Sequence, residues 1–116
     1  MTRLPPPPVP KKLQQMLRDY PKHIERLQEV LNTVVEKPSP LTPPFEVAIW
    51  VLESRLEAFI REARTELEDA EVSGDMDSIG QAKIKEELMF RARSSNGGMK
   101  GLHDLWDYFE GNKDAS

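Results

Sequence analysis

Seven residues, Leu13, Leu17, Tyr20, Ile24, Leu27, Leu31 and Val34, recur at alternating spacings of four and three. This is the a/d series of a helix that buries one seam, and it commits the first third of the chain to α-helix. Pro21 stands inside the series. A proline there cannot donate to the Leu17 carbonyl and crowds the preceding turn, so the helix must kink or restart. Because the apolar phase is kept across Pro21, two nearly collinear helices over about 11–19 and 21–36 are expected, facing one groove. Asp19 or Tyr20 can cap the second, with Pro21 in its first turn, where a missing N–H does no harm.

Residues 1–10, MTRLPPPPVP, read as an extended polyproline II arm with no packing of its own. Residues 37–44, KPSPLTPP, form a stiff connector through which no helix propagates. Thr42 is the expected N-cap of the next helix, which runs from about 44 to 72 and stops where Gly74 can turn left-handed. That helix is about 43 Å long, against about 39 Å for residues 11–36 if they are straight. Two helices of matched reach, joined by a short loop, pack antiparallel. A third helix is expected over about 76–92, capped by Asp75, Asp77 or Ser78, with Ile84, Leu88, Met89 and Ala92 as its apolar side. The SSNGG stretch ends it, and Met99, Leu102, Leu105, Trp106 and Phe109 mark a short last helix over about 99–109. The fold class is therefore all-α, a single helix bundle over 11–110 built on a long antiparallel hairpin, with a disordered tail over 111–116.

Composition agrees. Of the 116 residues 38% are apolar and 31% charged, which suits elongated helices with one buried face each rather than a thick multilayer fold. The absence of cysteine excludes a disulfide framework, a thiolate metal site and a cysteine nucleophile. The first residues lack the apolar core of a secretory signal, and the longest apolar run, residues 47–52, is too short to span a bilayer. A cytoplasmic protein without membrane contact is expected. The net charge of −4 is uneven: seven Lys/Arg against four acids in residues 1–40, three against ten in 41–80, and six against six in the remainder. Such asymmetry orients helices against each other or against a partner.

Little in the sequence carries chemistry. His23 can accept support from Asp19 one turn away, and His103 with Asp107 shares a face, but no third ligand stands near either to complete a metal site. The run REARTELEDAE places Glu62, Glu66 and Asp69 at helical spacing. Magnesium chemistry on paired helices would need a second such set, and Glu86 and Glu87, being adjacent, do not share a face. These acids are expected to pair with Arg61 and Arg64 or to face water. No phosphate-cradling glycine loop or nucleophile motif is present, so neither catalysis nor a cofactor is expected. Lys83, Arg91, Arg93 and Lys100 around Phe90 are the candidate nucleic-acid contacts, set against an acidic chain. The arm offers Pro7-x-x-Pro10 to an SH3-like groove, and Ser39-Pro40 and Thr42-Pro43 resemble proline-directed phosphorylation sites.

One stretch needs more cover than a single helix face gives, either from the other helices of the bundle or from a partner. From Phe45 to Leu52 the long helix is apolar on every side except at Glu46, which calls for cover from several directions. Phe45, Ile49, Trp50 and Leu52 are the candidate interface, and the expected function is a non-catalytic interaction or adaptor protein, homodimeric through this end. The alternative is a regulator that engages nucleic acid, or a nucleic-acid-binding protein, through charged helix faces.

Overall fold

The computed structural model describes residues 6–37 and 41–112. The described residues form an all-α bundle of five helices measuring 55 × 23 × 23 Å: α1 (Lys11–Met16), α2 (Pro21–Glu36), α3 (Pro44–Ser73), α4 (Met76–Arg93) and α5 (His103–Asn112). The expectations for Ser39, Pro40 and the last four residues lie outside the described residues.

α3 is the axis of the fold. It packs antiparallel to α2 on one side and, more extensively, to α4 on the other. Its inner stripe of Ala48, Leu52, Leu56, Phe59, Ile60 and Ala63 meets Leu27, Leu31 and Val34 of α2 and Met89 and Ala92 of α4 in one buried cluster. Cross-helix ion pairs keep the α3–α4 register. Lys85 meets Glu66 at 2.9 Å, Arg64 meets Glu86 at 3.6 Å, and Arg93 lies 3.4 Å from Glu53 and 3.7 Å from Glu57. Exposed pairs of this kind add little stability, and the apolar stripe dominates.

The helix boundaries follow from local chemistry. Gly74, at φ 74°, ends α3 and donates its N–H to the Ala70 and Glu71 carbonyls. A left-handed residue at this position costs glycine nothing. Asp75 caps α4, accepting from the Asp77 N–H and the Ser78 hydroxyl. Thr42 is not the cap of α3. Pro44 forces the residue before it into extended backbone, so Pro43, at φ −56° and ψ 137°, takes the capping position with no side-chain bond. α5 begins at His103, four residues later than expected, because residues 94–100 form successive turns.

Two corrections concern the N-terminal third. First, α1 and α2 are not collinear. Pro21 opens α2 as expected, but Tyr20, pushed extended by the following proline at φ −129° and ψ 67°, reverses the chain. Gln28 Nε2 donates to the Pro7 carbonyl at 2.7 Å, whereas a straight helix from Lys11 would already hold Lys11 about 26 Å from Gln28. α1 consequently packs against α4. Second, the arm is extended but not free. Pro7, Val9 and Pro10 are buried, Gln14 Nε2 donates to the Val9 carbonyl, and the Lys11 N–H donates to Asp104. The prolines that an SH3-like groove would need are packed against this chain.

Candidate interaction surface

With α1 and α4 on the inner side of the bundle, the outer seam between α2 and α3 is left open. It forms a groove of about 500 Å³ lined by Val30 and Thr33 of α2 and by Trp50, Val51, Ser54, Arg55 and Ala58 of α3. The Thr33 hydroxyl is spent on the Val30 carbonyl at 2.6 Å, which leaves its methyl for the groove. The small side chain of Ala58 keeps the seam open, and Trp50, 57% exposed, stands as one wall. A tryptophan this exposed beside valines is an unusual surface, because large aromatic area is normally withdrawn from water.

The four residues expected at the interface part company. Leu52 is wholly buried in the core and makes no surface, which corrects its assignment. Phe45 is half-buried, its ring edge-on to Trp106 at 5.1 Å, so α5 supplies part of the cover that this end requires. Ile49 is half-buried, and Trp50 alone is exposed. Sequence reasoning missed Val30, Thr33, Val51, Ser54, Arg55 and Ala58. Val30 and Val35 widen the apolar stripe of α2 beyond a strict seam, and that widening was the available signal.

Above the groove, Arg26 clasps Glu62 with two bonds of 2.7 Å. The Arg26 hydrogen bond holds the Glu62 carboxyl below its ordinary range. Two acids of the run thus pair across helices, Glu62 with Arg26 and Glu66 with Lys85, rather than with Arg61 or Arg64. Among the described residues no three metal-ligating side chains converge.

His23 packs its ring on Phe59 at 4.3 Å and near Tyr20 at 5.6 Å instead of bonding to Asp19. Burial lowers its pKa from 6.5, helped by Lys85 and Arg26 and opposed by Glu62 and Glu66. The folded state therefore binds this proton less readily than the unfolded chain. The stability that neutral His23 brings is complete above pH 6.5 and falls as the pH drops below it. Urea midpoints at pH 7.5 and 5.5 should show a loss on acidification that His23→Phe reduces; an equal loss in the variant would contradict this account.

The candidate nucleic-acid contacts do not form a compact patch. Arg93 is drawn to Glu53 and Glu57. Lys83 and Arg91 are exposed but about 12 Å apart along α4, and Lys100 lies beyond that helix. The Arg64 guanidinium lies over one face of the Phe90 ring at 5.0 Å, and Phe90 remains 42% exposed. No helix among the described residues is long and apolar enough to cross a membrane. Protein-family models, curated proteins and solved structures offer no match to this chain, so any reading of the surface rests on its own geometry.

Proposed function

We propose that this chain is a non-catalytic interaction protein that self-associates through the outer α2–α3 groove. Two copies packed groove to groove form a four-helix layer, the common geometry for helical pairs related by a two-fold axis. The observation that carries this reading is Trp50, 57% exposed against an open apolar seam. Tryptophan is enriched among the residues that dominate protein interfaces, and truncating one at the centre of an interface typically costs about 2 kcal/mol or more. Phe45, whose ring meets Trp106, and Ile49 are not among the residues that line this groove.

Sedimentation equilibrium tests this directly. Trp50→Ala is expected to weaken self-association by at least about tenfold while leaving helix content unchanged, since the side chain contributes little to the core. A wild-type chain that stays monomeric, or a dimer indifferent to the substitution, overturns the proposal.

A further inference from the structure

The two walls of the outer α2–α3 groove carry opposite charge. On α2, Glu25, Glu29, Thr33 and Glu36 follow one another at spacings of four, four and three, so they share one face. Thr33 lines the groove, and the three acids extend its column in both directions. All three are exposed, and none forms an ion pair among the described residues. Glu29 only adds its field to that of Glu62 on Arg26. The facing side of α3 is basic. Arg55 lines the groove, and Arg61 follows the groove residues Ser54 and Ala58 at spacings of seven and three. Neither arginine forms an ion pair among the described residues. Arg55 acts on Glu62 from a distance, and Glu62 already holds Arg26. Glu53 and Glu57 lie on the other flank of α3, toward Arg93 of α4.

One pair fixes the register of the two walls. Arg26 meets Glu62 at 2.7 Å, and because α2 and α3 are antiparallel, each step up α2 matches one step back along α3. Val30 is then level with Ala58, and Thr33 with Arg55, as their shared place in the groove requires. By the same count Glu25, Glu29 and Glu36 stand level with Ala63, Phe59 and Leu52 of α3.

We infer that a second copy seats its α2 on α3 of the first, about a two-fold axis parallel to the helices, so that the acids of one copy interleave with the arginines of the other. This rests on self-association through the groove and adds how the copies are oriented. Rotation about such an axis preserves height along the bundle. The partner's Glu25 and the partner's Glu29 therefore stand about 3 Å along the axis to either side of Arg61. The partner's Glu29 and the partner's Glu36 bracket Arg55 at about 6 and 4.5 Å along the same axis. A long arginine side chain spans such offsets, and each cross-copy pair occurs twice. Every neighbouring pair of helices is then antiparallel. The other rotation that packs groove on groove, about an axis across the helices, lays α2 on the partner's α2 and α3 on the partner's α3. It sets glutamates against glutamates and arginines against arginines, which disfavours it.

The chain has no cysteine, so a nitroxide attached at Val72→Cys, a position 90% exposed, reports one distance between copies. An axis parallel to the helices brings both labels to the same end of the dimer, within about 30 Å, two helix diameters and the label arms. An axis across the helices separates them by roughly 50 Å, twice the rise from the level of Arg55 to Val72. Double electron–electron resonance should read the short distance. Arg61→Glu and Glu29→Arg should each weaken association by at least about tenfold, and the two together should restore it to within about threefold of wild type. Both residues are exposed, and circular dichroism checks that the variants stay folded. The long distance, or a double variant that associates no better than the single ones, overturns this arrangement while self-association stands. A chain that stays monomeric at every concentration overturns self-association itself, and the arrangement with it.

Discussion

Phe59→Ala is expected to destabilise the fold by about 3–5 kcal/mol, a large part of the roughly 5–15 kcal/mol available to a small domain. Phe59 is completely buried on the inner stripe of α3. Its ring is also the platform for His23 at 4.3 Å and for the Arg26 guanidinium at 4.7 Å. Alanine would open a cavity between α2 and α3 and remove the surface that orients Arg26 toward Glu62. Urea denaturation measures the loss. A loss under about 1 kcal/mol would mean that the ring is not the keystone of the α2–α3 contact described above.

Gly98→Ala should be nearly as damaging, although it adds only one carbon. A Cβ at this position would collide with the Ala92 carbonyl oxygen, stand 2.5 Å from Leu13 Cδ2 and come 2.8 Å from Ala92 Cα. Two of these three atoms are backbone and cannot swing away, so the turn after α4 must shift or α1 must lift. The Gly98 N–H bond to the Arg91 carbonyl, at 3.0 Å, would shift with it. Overpacking of this sort typically costs about 1–3 kcal/mol, and here it falls on the joint that fixes α1 to α4. Amide hydrogen exchange in residues 9–17 should quicken in the variant; protection equal to wild type would show that the joint can absorb the methyl.

How legible was this arrangement in the sequence? The end of α3 at Gly74, a cap for α4 among Asp75, Asp77 and Ser78, and the apolar stripes of α2 and α3 follow from local rules, and local rules are what a sequence displays. The reversal at Tyr20 was not legible, because the spacing of Leu13 and Leu17 suits a continuous helix and a folded-back one equally well. Only contacts distant in sequence tell them apart, such as Gln28 with Pro7, Lys11 with Asp104 and Leu13 beside Gly98. The same limit applies to Leu52 and Trp50. Both belong to the apolar start of α3, and which of them faces the core depends on where α1 and α4 lie. Charge partners were misjudged for a related reason. Glu62 and Glu66 have arginines close by in sequence, but Arg26 and Lys85 on neighbouring helices approach more closely.

The reversal also has a consequence for surfaces. By folding back, α1 fills the inner side of the bundle with Leu13 and Leu17, both fully buried. The outer α2–α3 seam is then the open side of the pair, and Trp50 marks it.

A dilution series followed by backbone amide chemical shifts tests most directly whether copies of the chain meet through that seam. Concentration-dependent shifts confined to Val30, Thr33, Trp50, Val51, Ser54 and Ala58 and their neighbours are the predicted result. Spectra that do not change with concentration, or changes centred on the exposed side of α4 around Lys83 and Arg91, would contradict it.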